Sequence, residues 1–228
     1  MINAPKDGAV ALVSGGLDSV VSLAAADREL DVRLVLFCDY GQRARESERA
    51  SVLGVVNYYG LPFREVSLRW LRDLAPAGMR GPAEGETEVD ETAPLDGNED
   101  VWVPNRNGVF INVAAAFAES YDCSHVVTGF NREEAEEFPD NTGAYVDAVN
   151  RALLFSTRNG VKVVSFTLDL TKREILRKGI EVGAPLSVIW SCYRSGERMC
   201  GKCPSCRKLM LAIDALPADD RPVIEFER

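Results

Sequence analysis

The sequence predicts an α/β fold, with a doubly wound, mostly parallel sheet covered by helices on both faces and a small C-terminal lobe. The chain has 228 residues, of which 46% are hydrophobic, and this is enough for one domain with a sizeable core. Short apolar runs of strand length alternate with segments whose apolar residues recur at helical spacing. Such alternation is typical of parallel sheets whose strands are joined by crossover helices.

The first strand–turn–helix unit contains the clearest motif. Residues 9–13 form an uncharged apolar run that is typical of a buried strand, and helical spacing begins at Leu17. The sequence S-G-G-L-D-S joins the two. Its glycines let the backbone approach a ligand, and the first helical N–H groups lack intrahelical partners, so the turn predicts a phosphate site. The alternative is an ordinary glycine-rich turn in which Asp18 is the helix N-cap.

The remaining elements follow in chain order. Strands are predicted at about residues 32–38, 62–67, 124–128 and 162–166. Helices are predicted at about residues 44–59, 108–120, 142–156 and 172–182, and the last begins with a capping box of Thr171 and Glu174. Residues 131–140, which include four glutamates, are predicted to form a polar loop.

The acidic charge is concentrated in one segment. The net charge is −9, but residues 73–100 hold nine acidic side chains and one basic one, so the rest of the chain carries only −1. We expect residues 71–100 to be a mobile insertion with little apolar surface, because they contain three prolines, four glycines and no periodic pattern. No basic stripe is present, which favours a small-molecule substrate over nucleic acid.

The sequence also bears on the compartment of the protein. No apolar run reaches the roughly 18 residues of a membrane span, and the first residues contain no apolar signal region. We therefore expect a cytoplasmic protein with no membrane association.

Four of the six cysteines lie within fifteen residues. Cys192, Cys200, Cys203 and Cys206 could meet at one tetrahedral ion, and four thiolates leave no ligand position open, which predicts a structural zinc site. An iron–sulfur cluster, also held by four cysteines, is the alternative. Cys38 and Cys123 lie in apolar surroundings and are predicted to be core residues.

Taken together, the motifs resemble one family. S-G-G-L-D-S, D-Y-G-Q-R at 39–43, V-P-N-R-N at 103–107 and S-C-Y followed by C-G-K-C-P-S-C occur in the order seen in the QueC family of 7-cyano-7-deazaguanine synthases, which belongs to the PP-loop, or N-type, ATP pyrophosphatases. The resemblance covers about residues 10–211. It implies an adenine nucleotide alpha hydrolase-like fold, with a PP-loop domain at 1–186 and a zinc-binding lobe at 187–228.

The resemblance also implies an activity. It implies that ATP, 7-carboxy-7-deazaguanine and ammonia are converted to 7-cyano-7-deazaguanine through adenylylated intermediates, with magnesium and zinc as cofactors and a homodimeric assembly. One alternative is another PP-loop enzyme that adenylylates a different acceptor, such as a tRNA-modifying or related amidating enzyme. A second alternative is an interaction module built on the cysteine lobe.

The resemblance further implies roles for individual residues. The implied catalytic residues are Asp18, Arg106 and Lys172. The implied ATP-binding residues are Val13, Ser14, Gly15, Gly16, Leu17, Asp18, Ser19, Asp39, Gln42, Arg43, Arg106, Gly129 and Lys172. The implied substrate-binding residues are Tyr40, Asn107, Phe130, Glu134, Phe138 and Asp140. The chain departs from the family pattern at Ala44, Asn105 and residues 131–142, where the family has His, Gly and a cysteine-containing loop.

Overall fold

The computed structural model describes residues 6–83, 85, 89–90, 93–95 and 97–227. In this part of the chain, five strands form one sheet in the order β3-β2-β1-β4-β5, and every neighbouring pair is parallel. The strands are β1 (Gly8–Leu12), β2 (Asp31–Asp39), β3 (Phe63–Ser67), β4 (His125–Thr128) and β5 (Lys162–Ser165). The predicted parallel α/β fold is confirmed.

Helices cover both faces of the sheet. They are α1 (Leu17–Glu29), α2 (Arg45–Tyr59), α3 (Arg106–Ser120), α4 (Arg132–Glu137), α5 (Gly143–Ser156), α6 (Lys172–Val182) and α7 (Pro204–Asp214). On one face, side chains of α1, α2, α6 and α7 pack in a single core with Ala9 and Ala11 of β1. On the other face, α3 and α5 pack against Val10. Successive side chains of β1 therefore point to opposite faces of the sheet, as expected for a strand. No helix of the described chain is both long and apolar enough to cross a membrane.

The strand order creates a crevice above β1. The chain leaves β1 toward β2 and β3 on one side, and after α3 it returns to β4 on the other side. Ligands of doubly wound sheets bind beyond the carboxyl ends of the strands at such a reversal. The S-G-G-L-D-S turn follows β1, so the topology places it at this crevice.

The segment after β4 differs from the predicted polar loop. It contains α4 and a 3₁₀ turn at Pro139–Asn141. Asn131 caps α4, because its Oδ1 accepts a hydrogen bond from the backbone N–H of Glu134 at 3.0 Å. A helix of six residues is too short to show helical periodicity, so the sequence pattern did not reveal it.

The acidic segment also differs from its prediction. Short 3₁₀ helices occupy Arg69–Leu74 and Ala77–Met79, and Leu71, Met79 and Leu95 are buried in a third apolar cluster. The expectation of little buried apolar surface is therefore wrong for the described part of this segment. Residues 84, 86–88, 91–92 and 96 lie outside the described residues, and the mobility of the segment stays a prediction.

The predicted ends of α6 are confirmed. Thr171 and Glu174 form the full capping box, and Gly183 ends the helix in the left-handed conformation. The following chain returns to the sheet, where Ile189, Cys192 and Cys206 join the core that contains β1. Whether residues 187–228 behave as a separate lobe stays a prediction.

Candidate functional site

A cavity of about 280 Å³ lies at the carboxyl ends of β1, β2 and β4. It is lined by all six residues predicted to bind substrate and by most of those predicted to bind ATP. These residues are Val13, Ser14, Gly16, Asp18, Ser19, Tyr40, Gln42, Arg106, Asn107, Gly129, Phe130, Glu134, Phe138, Asp140 and Lys172. Residues from five separate stretches of the sequence, 13–19, 40–42, 106–107, 129–140 and 172, thus meet in one place.

Four of the predicted ATP-binding residues do not line the cavity. Gly15 lies in the turn and Leu17 is the first residue of α1, and both are buried. Asp39 accepts a hydrogen bond from the Gly41 N–H at 3.0 Å. It also forms ion pairs with Arg45 and Arg69 at 2.8 and 2.9 Å. Arg43 donates to the carbonyl of Asp90 at 3.2 Å. In the structure, the side chains of Asp39 and Arg43 therefore contact neighbouring parts of the protein instead of the cavity.

The turn after β1 has the form of an anion site. Gly15 has φ +85°, and a Cβ there would lie 2.8 Å from the Glu48 carbonyl oxygen, so the turn requires glycine. The N-cap of α1 is Gly16, with no side-chain cap. The hydroxyls of Ser14 and Ser19 lie 3.2 Å apart beside it. The alternative with Asp18 as the N-cap is therefore wrong, because Asp18 lies inside the helix.

Lys172 lies between two carboxylates in the cavity. Its Nζ pairs with Asp18 and, at 2.8 Å, with Glu134. Burial raises the pKa of Asp18 to about 6, although Lys172 acts in the opposite direction. Burial alone lowers the pKa of Lys172, but the two carboxylates outweigh it and raise that pKa. The lysine is thus held charged where α1, α4 and α6 meet.

One oxygen of Asp18 remains available for a ligand. Asp18 Oδ1 is buried and has no hydrogen-bond partner within the described residues. A buried carboxylate oxygen without a partner is costly, and it is the kind of ligand that magnesium binds. This oxygen therefore fits a role as a magnesium ligand.

Arg106 supplies a second cation to the cavity. Its guanidinium donates to the Tyr40 hydroxyl at 3.1 Å and lies 5.5 Å from the centroid of that ring. The preceding Asn105 has φ +53°, a left-handed conformation that Asn tolerates, so the departure from the family's Gly is accommodated. Burial raises the pKa of Asp140, and the nearby Arg106 opposes that shift.

The cavity also contains residues that the motifs did not single out as site residues. Trp102 stacks on Phe138, with ring centroids 5.9 Å apart and planes 10° from parallel. Lys208 of α7 pairs with Glu137 of α4 at 2.7 Å at the rim. Further residues of this kind include Glu48, Thr128, Trp190, Ser191, Tyr193 and Ser205. Of these, only Ser191 and Tyr193 carry a sequence signal, because they flank Cys192 in S-C-Y.

The four clustered cysteines meet as predicted. The Sγ atoms of Cys192, Cys200, Cys203 and Cys206 are buried and all lie within 4.8 Å of one another. Four ligands about 2.3 Å from a central zinc would have sulfur atoms separated by similar distances, so the set fits a tetrahedral ion. Backbone N–H groups of Cys200 and Cys203 also point at these sulfurs, at 3.4 and 3.3 Å.

Comparison with known proteins gives a consistent result. A family model described as "Queuosine biosynthesis protein QueC" matches residues 8–214. The 7-cyano-7-deazaguanine synthase of Carboxydothermus hydrogenoformans is 48% identical over 208 residues, covering 90% of this chain and 97% of that protein. The 7-cyano-7-deazaguanine synthase of Methanosarcina barkeri is 44% identical over 207 residues, covering 87% and 90%. The chain belongs to the QueC family of queuosine biosynthesis proteins.

Proposed function

We propose that the protein is an ATP-dependent ligase that forms a carbon–nitrogen bond, converting 7-carboxy-7-deazaguanine and ammonia to 7-cyano-7-deazaguanine. One observation carries the proposal: the anion-binding turn, Lys172 and Arg106 share one cavity with side chains suited to a polar heterocycle. Relatives that are 44–48% identical over most of both chains bear the name of this activity.

The proposed chemistry has two activation steps. A carboxylate is a poor electrophile, so its oxygen attacks the α-phosphorus of ATP and pyrophosphate leaves. Ammonia then displaces AMP to give an amide. The amide oxygen is adenylylated in turn, and loss of AMP with a proton gives the nitrile. Each nitrile therefore consumes two ATP and releases two AMP and two pyrophosphates.

The chain's own residues stabilise the charge that develops on pyrophosphate. Backbone N–H groups at the start of α1 and the hydroxyls of Ser14 and Ser19 would bind the departing group. Lys172 and Arg106 would neutralise it, as fixed cations do in electrostatic catalysis. Magnesium, held by Asp18, would add a Lewis acid at the phosphates. On this proposal Asp18, Lys172 and Arg106 are the catalytic residues.

The acceptor half of the cavity supports a deazaguanine substrate. Phe130, Phe138 and Tyr40 present aromatic surface, while Asn107, Glu134 and Asp140 present hydrogen-bonding groups. This mixture suits a planar base with polar edges. We propose that these residues bind the acceptor although residues 131–142 differ from the usual family loop.

We propose further that residues 1–186 bind and activate the substrates, while residues 187–228 are held together by one structural zinc. The small net charge outside residues 73–100 supports activity on a small molecule without nucleic acid.

A homodimer and a cytoplasmic location are proposed from the family resemblance. Leu154 and Phe155, which are 61% and 93% exposed on α5, provide apolar surface for such an assembly.

The proposal is tested by product analysis. The protein is incubated with ATP, magnesium, ammonium and 7-carboxy-7-deazaguanine, and products are identified by mass spectrometry. We expect the nitrile, with AMP and pyrophosphate each formed at two per nitrile. Formation of AMP without nitrile in the presence of this acid, or no AMP at all, would contradict the assignment of the acceptor or of the activity, respectively.

A further inference from the structure

Glu48 is a cavity residue without a role in the proposed chemistry. It lies on α2, and its Oε2 accepts a hydrogen bond from the Gln42 amide at 2.8 Å. The same amide group donates to the Cys38 carbonyl at 3.2 Å, and the Gln42 side-chain oxygen accepts from the Tyr40 N–H at 2.9 Å. Gln42 therefore fixes one side of the carboxyl group. Glu48 Oε1 has no hydrogen-bond partner among the described residues.

The position of Glu48 relates it to the phosphate turn. Its backbone carbonyl packs against the turn, since a Cβ on Gly15 would lie only 2.8 Å from that oxygen. In a nucleotide whose pyrophosphate occupies the turn, the ribose is separated from the turn by one phosphate group. The ribose would therefore lie within reach of groups beside the turn, and α2 is one of the elements there.

The two halves of the cavity differ in chemistry. On the β2 side the lining is largely apolar, and Glu48 is its sole acidic residue among those described. Apart from Tyr40, which is proposed above to bind the acceptor, that lining consists of Leu36, Phe37, Cys38, Gln42, Glu48 and Met79. On the β4 side Glu134, Glu137 and Asp140 line the cavity. The less acidic β2 side suits the adenosine of ATP, which leaves the more acidic β4 side for the acceptor.

An acidic residue near the second strand binds the ribose hydroxyls in many doubly wound folds. The sequence places Asp39 at that position, but the oxygens of Asp39 are already bound by Gly41, Arg45 and Arg69. Glu48 reaches the same edge of the sheet from the next helix, and its Oε1 has no hydrogen-bond partner in the part of the chain that the structure describes.

We propose that Glu48 accepts a hydrogen bond from at least one ribose hydroxyl of ATP, and so acts as a nucleoside-positioning residue of the site. The proposal rests on the use of ATP in the proposed function. Leaving a buried carboxyl oxygen or a ribose hydroxyl without its hydrogen-bond partner predicts a loss of about 10- to 100-fold in nucleotide affinity.

The test pairs changes in the residue with changes in the nucleotide. Binding of the non-hydrolysable α,β-methylene ATP and of its 2′-deoxy and 3′-deoxy forms is measured by calorimetry in the presence of magnesium. We expect the unaltered protein to bind the parent analogue at least 10-fold more tightly than one of the deoxy forms. Glu48→Leu should bind all three with the same, weakened affinity.

Two further variants make the result specific. Glu48→Gln keeps the size and one acceptor oxygen, so it should restore part of the difference in affinity between the parent analogue and the deoxy forms. If the Leu variant does not fold, the Gln variant tests the role of Glu48 in its place. Glu46→Gln alters an exposed carboxylate on the same helix and should behave as the unaltered protein.

The outcomes separate the two proposals. Equal binding of all three nucleotides by the unaltered protein, or full discrimination retained in both Glu48 variants, overturns the role of Glu48 while ATP use stands. Absence of binding of the parent analogue to the unaltered protein overturns ATP use and the role of Glu48 together.

Discussion

At the scale of single residues, charged side chains of the cavity are paired with one another, and we expect ATP binding to change these pairings. Lys172 neutralises part of the charge of Asp18 and Glu134, so it is already engaged before any phosphate arrives. A magnesium ion at Oδ1 of Asp18, which has no hydrogen-bond partner among the described residues, would take over part of that neutralisation. We therefore expect Lys172 to become available to the phosphates when metal and nucleotide bind together.

This arrangement makes Asp18 a direct test of the site. We expect Asp18→Asn to lower AMP formation by about 100-fold or more, since it removes a metal ligand and leaves Lys172 with one carboxylate. The fold should persist, because an amide has the same shape. Steady-state AMP formation and circular dichroism are the measurements. Glu29→Gln, an exposed change at the end of the same helix, is the control, and an Asn variant with near-normal turnover would contradict the assignment.

At the scale of elements, local sequence patterns predicted the features that depend on neighbouring residues along the chain. The strands, the helices that connect them and the capping box of α6 follow from periodicity and turn chemistry, and these were predicted closely. The six-residue α4 was missed because it is shorter than two helical turns. The packing of residues 71–100 was missed because Leu71, Met79 and Leu95 are isolated in an acidic sequence, and only the folded sheet brings them together.

The same contrast holds for the site. The turn after β1 and the cysteines form contiguous motifs that carry their own chemistry. Glu48 on α2, Trp102 in the segment before α3 and Lys208 on α7 reach the cavity from separate parts of the chain, and nothing in their local sequence marks them. Asp39 is the opposite case: its place at the end of a strand predicted a ligand contact, whereas its oxygens contact Arg45 and Arg69 in the structure. Its role in ATP binding stays a prediction.

The packing of the acidic segment leads to a prediction for one of its elements. Leu71 is fully buried, whereas Leu74 in the same 3₁₀ helix is 52% exposed. We expect Leu71→Ala to destabilise the protein by about 2–5 kcal/mol and to lower the melting temperature by roughly 5–15 °C. The matched change Leu74→Ala should have little effect. Equal, small shifts for both variants would show that this segment adds no packing energy.

At the scale of the whole molecule, the cysteine site and the nucleotide site share one core. Cys192, Cys203 and Cys206 pack in the same apolar cluster as β1, α1 and α6. Cys192 also lines the cavity, and the N–H of Trp190 binds the Gly15 carbonyl at 2.8 Å. The segment leading to the clustered cysteines therefore contacts the turn after β1 directly.

This coupling predicts a global effect when the metal is lost. Structural zinc in small domains contributes about 10–16 kcal/mol of apparent binding energy, which is folding energy when no site exists in the unfolded chain. We expect Cys203→Ser to give insoluble or zinc-poor protein with a disturbed phosphate turn. Cys123→Ala, at a buried cysteine outside the cluster, should keep the metal.

Elemental analysis of purified protein measures the metal, and nucleotide binding measures the turn. About one zinc per chain without iron is expected for the unaltered protein and for Cys123→Ala. Iron with inorganic sulfide would contradict the zinc assignment. A soluble Cys203→Ser variant that binds α,β-methylene ATP normally would contradict the coupling, because the turn after β1 would then hold its shape without the metal segment that contacts Gly15.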